Sequence, residues 1–262
     1  TRLVSDWSSD VCSSDLRYTI AHLHIKGRQD NTGLFGVMGQ EALVQEVFIK
    51  EGQVQGNART GLLVGWNQGE VRNCYVMGQV AGTDNVGGLV GMNDRGGYIG
   101  NTQAVCQVTG QKHEVGGLVG CNLGYIIDSH AQVGVEGKRL VGGLVGTNDE
   151  TGQLMHCTAL GKVTGQYWVG GLVGHNWFRG QVSHCIAMAA VVGEAYVGGL
   201  VGFNYAQARI MKSSSTSTVK GARHTGLMVG GNRGSITYGL SAQDTWSDRP
   251  QNPFIPLSAA DP

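Results

Sequence analysis

A short glycine-rich segment returns along the chain at a nearly constant spacing, and this regularity constrains the fold more than any other feature. The segment reads Gly-Gly-Leu-Val-Gly, and an asparagine follows two residues later. The asparagines of the complete and looser copies are Asn67, Asn93, Asn122, Asn148, Asn176, Asn204 and Asn232. Their successive separations are 26, 29, 26, 28, 28 and 28 residues. A fixed period of this length is typical of stacked structural units and argues against a globular enzyme domain.

Each repeat also contains short apolar alternations that are separated by Gly or Asn turns. One of them ends on Val-x-Gly, as in residues 80–82, 108–110 and 163–165. This pattern predicts two or three strands of about four to six residues in each repeat. No stretch combines a helical period with helix caps.

These features predict an all-β fold, a parallel β-solenoid of about eight coils with roughly 28 residues per coil. Each strand of such a fold pairs with its equivalents in the neighbouring coils, about 4.8 Å away, so the rod is about 38 Å long. Gly provides 44 of the 262 residues, well above its usual share of about 7%, and suits tight corners. The rival architecture, a propeller, needs blades of about 40 residues or more.

The repeated asparagine and the glycine segment raise two questions of geometry. Asn tolerates left-handed backbone at a corner, and stacked Asn amides can bond one another along the rod. We therefore predict both properties for the Asn column. Which face of the glycine segment points inward stays open, because Leu172 alternates with Val169 and Val173 and both faces are apolar.

The two ends of the chain depart from the repeat. Residues 6–16 resemble the translation of a common sequencing adaptor, so residues 1–16 are interpreted as an artefact and excluded. The solenoid is assigned to residues 17–241. Residues 242–262 lose the period and contain Pro250, Pro253 and Pro256, which predicts a cap or the start of a linker.

The composition restricts the partners of the chain. Lys plus Arg and Asp plus Glu each total 19, so the formal net charge is zero, which argues against a nucleic-acid ligand. No apolar run approaches the ~18 residues of a membrane span, so we expect no membrane insertion. Charged residues make up only 15% of the chain, and such uncharged, repetitive surfaces are common on extracellular scaffolds.

The repeats resemble GLUG repeats, a short Gly-Leu-rich motif of bacterial surface proteins. The resemblance covers about residues 18–241, and residues 20–25 followed by Gly33-Leu-Phe-Gly36 are similar to the usual start of such an array. Similar arrays occur in filamentous-haemagglutinin-like adhesins and in cell-wall proteases of the IgA-peptidase type. The resemblance implies a secreted or surface-anchored solenoid that acts as a stalk, spacer or adhesive shaft beside other domains of a larger parent chain.

Cysteine and histidine occur in aligned positions of the repeat. Cys74, Cys157 and Cys185 share a column that holds Thr or Ser elsewhere, which predicts small buried residues. Parallel stacking directs the side chains of Cys157 and Cys185 the same way, which argues against a disulfide. His156 and His184 precede these two cysteines and point to the opposite face, so no face offers four zinc ligands. We predict two stacked surface imidazoles, no metal site and no cofactor.

Parallel β-helices also include enzymes that cleave polysaccharides, a reaction that needs two carboxylates across a sugar. Four carboxylates fall in different columns of the repeat: Glu70, Asp94, Asp128 and Glu150. Asp84 and Glu114 come close together before the glycine segment, beside His113, and are interpreted as a solvated turn. No HExxH, GxSxG or Walker-type loop occurs. The sequence therefore predicts no catalytic residue.

Aromatic residues recur in aligned turns of neighbouring coils. One turn precedes the glycine segment and another follows the Asn column. The six candidate ligand-binding residues are Tyr167, Trp168, Trp177, Phe178, Tyr196 and Tyr205. They can form a platform for sugar rings or a patch for a protein, with a host glycan or a matrix protein as the expected partner. The alternative is that the rings fill gaps at the corners and stack on one another.

Three functions stay open at this point. The first is a non-catalytic fragment of a bacterial secreted or surface protein that serves as an adhesive or structural shaft. The second is the spacer region of a large cell-surface protease. The third is a carbohydrate-active β-helix enzyme, which needs a carboxylate pair that the sequence does not show. All three place the chain outside the cell or on its surface.

Overall fold

The computed structural model describes residues 18–237 and 240–241. The predicted artefact at residues 1–16 and the predicted cap at residues 242–262 lie outside these described residues. Within the described part every regular element is a β-strand, and the strands form four parallel sheets that we name A to D. A complete coil passes through the sheets in that order. The predicted parallel β-solenoid of about eight coils is confirmed.

Sheets A and B contain the longest strands and some of the shortest. The strands of sheet A are β1 (Tyr18–Ala21), β2 (His24–Lys26), β5 (Val47–Gln55), β8 (Tyr75–Gly82), β12 (Gln103–Gly110), β16 (His130–Glu136), β20 (Thr158–Thr164), β24 (Ile186–Val192), β28 (Ser214–Ser215), β29 (Thr218–Lys220) and β33 (Leu240–Ser241). The strands of sheet B are β9 (Val86–Gly87), β13 (His113–Gly116), β17 (Arg139–Gly142), β21 (Tyr167–Gly170), β25 (Ala195–Gly198) and β30 (Arg223–Gly226).

Sheets C and D each contain one strand from every coil. The strands of sheet C are β3 (Phe35–Met38), β6 (Val64–Asn67), β10 (Val90–Asn93), β14 (Val119–Asn122), β18 (Val145–Asn148), β22 (Val173–Asn176), β26 (Val201–Asn204) and β31 (Val229–Asn232). The strands of sheet D are β4 (Leu43–Gln45), β7 (Glu70–Arg72), β11 (Tyr98–Gly100), β15 (Tyr125–Ile127), β19 (Gln153–Met155), β23 (Gln181–Ser183), β27 (Arg209–Met211) and β32 (Ser235–Thr237).

A complete coil contains four strands, so the prediction of two or three strands per repeat was too low. The reason is a corner inside the glycine segment: strand β13 ends at Gly116 and strand β14 begins at Val119. At this corner a side chain on Gly117 would clash with the backbone carbonyl of Gly143 in the next coil. Glycine is therefore required at this corner, because the backbones of neighbouring coils leave no room for a side chain.

The same corner answers the question of which face points inward. Val169, Leu172 and Val173 are all fully buried, although the expected alternation placed Leu172 opposite the two valines. The chain turns between the two strands, so all three apolar side chains reach the core. The aligned leucines of the glycine segment are fully buried in this core in successive coils: Leu118, Leu144, Leu172 and Leu200.

Left-handed backbone occurs in a different column from the one predicted. In each coil one aligned residue has φ between 50° and 58°. It is the second residue of the four-residue strands of sheet B, and in the first coils it directly precedes Thr32, Thr60 or Val86. These residues are Asn31, Arg59, Asn85, Glu114, Leu140, Trp168, Tyr196 and His224. The Asn column itself is extended and ends the strands of sheet C, so the left-handed prediction for it was wrong. Its asparagines from Asn67 to Asn204 are instead fully buried, and Asn232 is half-buried.

Candidate binding site

A ladder of buried Asn amides holds the turns that follow sheet C. Each amide nitrogen donates to the amide oxygen of the next coil, at 2.8 Å from Asn67 to Asn93 and 2.9 Å from Asn148 to Asn176. The same nitrogen of Asn148 also donates to the carbonyl of Gly152, at 3.0 Å, across its own turn. The predicted stacking of amides is confirmed, and it places the turns of successive coils directly above one another.

The first aromatic row lies in the left-handed column at the start of the sheet B strands. The rings of Trp168 and Tyr196 stack with centroids 6.3 Å apart, and Tyr196 stacks on His224 at 4.5 Å. The guanidinium carbon of Arg139 lies 4.7 Å from the Trp168 ring centroid and 5.8 Å from that of Tyr167. Arginine and aromatic rings thus form a continuous stack across four neighbouring coils.

The second aromatic row lies in the turn after the Asn column. Trp177 stacks on Tyr205 with ring centroids 4.0 Å apart and an interplanar angle of 27°. The Arg233 guanidinium carbon lies 5.9 Å from the Tyr205 ring centroid. Phe178 extends the row outward, 5.8 Å from Trp177, and is 53% exposed.

His175 and Phe203 fill the space between the two rows. Both project outward from sheet C, and both are covered by the neighbouring rings. His175 lies 6.0 Å from Trp168, 4.8 Å from Trp177 and 5.8 Å from Phe203, measured between ring centroids. Burial lowers the pKa of His175 to about 4, so this imidazole is neutral at physiological pH and acts as another ring of the cluster.

The structure therefore brings all six predicted residues into one surface, which we call the aromatic cluster. It consists of Tyr167, Trp168, His175, Trp177, Phe178, Tyr196, Phe203, Tyr205 and His224. Sequence reasoning missed His224 and the flanking Arg139 as members of this surface. The repeat register contained the signal, since His224 occupies the column of Trp168 and Tyr196, and Arg139 pairs directly with Tyr167.

The rings do stack on one another, as the alternative interpretation expects, and several keep exposed area. Tyr167, Trp168, Trp177, Tyr196 and Tyr205 are half-buried. A shallow depression of about 380 Å³ lies beside Trp177 and Phe178 and is also lined by Asp149 and Glu150. Packing of the rings and an open surface for a ligand are thus both properties of the same cluster.

The carboxylates considered for catalysis have separate partners. Glu70 pairs with Arg72 at 2.8 Å, Asp128 lies 3.4 Å from His156, and Glu150 pairs with Arg95. Asp94 accepts hydrogen bonds from the Trp66 indole at 3.1 Å and from Gln68 at 3.2 Å. These contacts support a structural role for each of the four carboxylates.

The turn with Asp84 and Glu114 is only partly solvated, which corrects the interpretation made above. Asp84 accepts the backbone N–H of His113 at 3.3 Å. Glu114 is half-buried and bonded by the Asn85 amide. Burial, with the nearby charge of Asp149, raises the pKa of Glu114 to about 7.

The cysteine column behaves as predicted. Cys74, Cys157 and Cys185 are buried free thiols, and the Cys157 backbone N–H lies 3.4 Å from the Cys185 sulfur. Burial raises the pKa of the Cys157 thiol well above its ordinary value. His156 and His184 are exposed neighbours with ring centroids 5.1 Å apart, as predicted, but their rings are tilted by 55° rather than stacked. Both lie in left-handed corners rather than strands.

Two segments of the chain, residues 137–164 and 193–220, match the family model of the GLUG motif. These two segments are similar to the GLUG motif. Each matched segment begins just after one strand of sheet A and ends with the last residue of the next. One GLUG motif is therefore one full coil of this solenoid.

A second similarity comes from an archaeon. Over 82 residues the chain is 37% identical to halomucin from Haloquadratum walsbyi (strain DSM 16790 / HBSQ001), a match that covers 31% of this chain and 1% of halomucin. No solved structure matches the chain. Since this relative is archaeal, the bacterial origin stays a prediction, as do the adhesin and protease families. Between residues 18 and 241, as far as they are described, no helix has the length and hydrophobicity that a membrane span requires.

Proposed function

We propose that this solenoid is a non-catalytic region of a secreted or cell-surface protein, where it serves as an adhesive or structural shaft. The GLUG repeats and the similarity to halomucin support a non-enzymatic surface protein. The observation that carries the adhesive role is the aromatic cluster. Its rings gather on one side of neighbouring coils and keep exposed area, as in surfaces that bind sugars or proteins. We propose a host glycan or a matrix protein as its partner.

A passive spacer, such as the spacer region of a large cell-surface protease, is the second candidate. The buried Asn ladder favours it, because hydrogen bonds that pass from coil to coil stiffen the rod whatever its surface binds. A carbohydrate-active enzyme has less support, because the carboxylates of the repeat are engaged by separate partners.

Binding of the full chain to an array of glycans and matrix proteins tests the adhesive role. We expect binding by the natural sequence and its loss in the Trp168→Ala/Trp177→Ala double variant, because both rows of the cluster then lack their first ring. The matched control is Phe48→Ala/Tyr75→Ala, which removes another pair of contacting rings, with centroids 4.8 Å apart, from sheet A. A folded chain that binds nothing on the array contradicts adhesion and favours the spacer.

A further inference from the structure

We propose that the depression beside Trp177 and Phe178 binds a pyranose ring of a neutral oligosaccharide, with Phe178 as the stacking platform. This inference rests on the proposed adhesive function and names its ligand class. The depression holds about 380 Å³, enough for a sugar ring but small for the surface of a folded protein. Its position on the outside of the coils leaves room for an oligosaccharide to continue along the rod.

Three long turns in neighbouring coils create the depression. In these coils the turn from the asparagine to the small residue that ends it is long, and spans residues 148–152, 176–180 and 204–208. The corresponding turns at residues 67–69 and 122–124 are shorter. The longer turns project beyond the sheet, and side chains from all three line the space between them. Trp177 is held in place there by its stacking on Tyr205 at 4.0 Å, so this wall is organised before a ligand arrives.

Phe178 is the most exposed hydrophobic ring of the aromatic cluster. Its backbone is left-handed, with φ of 47°, a conformation that is unfavourable for a bulky L-residue. The aligned Glu150 of the preceding coil has the same conformation, with φ of 45°, so the turn imposes this backbone on the residue at that position. The Phe178 ring is also 53% exposed, so burial recovers only part of the cost. An exposed aromatic ring held on a tight turn is suited to stacking on the apolar face of a ligand.

The polar groups of the depression match a neutral, hydroxyl-rich ligand. Asp149 and Glu150 supply carboxylate acceptors on one side, while Arg179 and Gln207 supply donors on the other. Glu150 is oriented by Arg95, and Asp149 accepts the Glu150 backbone N–H at 2.6 Å. A sugar presents an apolar ring face to an aromatic residue and hydroxyls that both donate and accept. Charges of both signs at the rim disfavour a strongly cationic or anionic ligand.

The test is binding of the full chain to short, immobilised homo-oligomers of glucose, mannose, galactose and N-acetylglucosamine. We expect Phe178→Asn to weaken binding about tenfold or more while leaving the fold at least as stable, because Asn accepts left-handed backbone. Tyr125→Ala is the matched control, since Tyr125 is an exposed ring, at 42%, in sheet D of another coil. We also expect binding to persist at high salt, since the ligand is neutral.

The outcomes separate this inference from the proposed function. Loss of binding in Phe178→Asn but not in Tyr125→Ala supports the site. Sugar binding that survives Phe178→Asn overturns the site and leaves the adhesive function standing. Binding only to matrix proteins or to charged glycans overturns the proposal of a neutral oligosaccharide, and the adhesive function again stands. If the chain binds no glycan and no matrix protein, both the sugar site and the adhesive function are overturned.

Discussion

The asparagine ladder shows how one residue type connects neighbouring coils. The Asn148 oxygen accepts from Asn122 at 2.8 Å, while its nitrogen donates to Asn176 at 2.9 Å and to the carbonyl of Gly152 at 3.0 Å. The side chain is fully buried, so water cannot replace these bonds if they are lost. A single amide thus secures a turn and joins three successive coils.

We expect Asn148→Ala to lower the free energy of unfolding by about 3 kcal/mol, because it leaves buried amide and carbonyl partners without hydrogen bonds. Urea unfolding followed by circular dichroism measures the change. Asn57→Ala is the control: Asn57 is exposed and its amide bonds Asp30 on the surface, so its loss should cost far less. Equal decreases in the free energy of unfolding of the two variants would show that burial does not make the ladder bonds more stabilising than a surface bond.

At the scale of the element, the corner between sheets B and C decides how many strands a coil contains. A side chain at Gly117, Gly143 or Gly171 would clash with a carbonyl oxygen in the next coil. These glycines form a column that lets neighbouring coils approach at strand-pairing distance. The segment therefore repeats because of contacts between coils as well as the conformation of its own turn.

We expect Gly171→Ala to destabilise the fold by about 3 kcal/mol or more, because the added methyl group meets the rigid backbone of Gly199. The measurement is again the midpoint of urea unfolding. Gly39→Ala is the matched control, since a side chain there meets no atom within 4 Å. A Gly171→Ala variant as stable as the Gly39→Ala variant would contradict the close approach of the two coils.

At the scale of the whole molecule, the solenoid is a one-dimensional stack in which each coil contacts mainly its neighbours. Strand pairing follows the repeat closely, so Glu136 pairs with Thr164, 28 residues later in the sequence. Since each GLUG match is one full coil, the matched segment is the natural unit for removing or adding length. This modularity suits a shaft.

We expect deletion of residues 137–164 to preserve the fold, because it joins Glu136 to Gly165 at equivalent positions of two coils. Deletion of residues 137–150 should abolish it, since half a coil shifts every later strand out of register. Circular dichroism and limited proteolysis of the two shortened chains distinguish these results. If both deletions behaved alike, the coil would not be the structural unit of the chain.

The sequence alone determined the architecture, because a fixed period of glycine, leucine and asparagine reports the contacts that every coil repeats. It also predicted the amide ladder, the buried cysteine column and the alignment of the aromatic turns. These are properties of the register, which the spacing of identical residues reveals directly.

The tertiary structure alone decided how each coil bends within its repeat. Local alternation treats the glycine segment as one strand, whereas contact with Gly143 makes a corner after Gly116 and turns three apolar side chains inward. The same holds for the aromatic cluster, where His224 and Arg139 join rings that are distant in the sequence. Such contacts depend on the left-handed backbone at the start of the sheet B strands, which residues as different as Glu114 and Trp168 adopt.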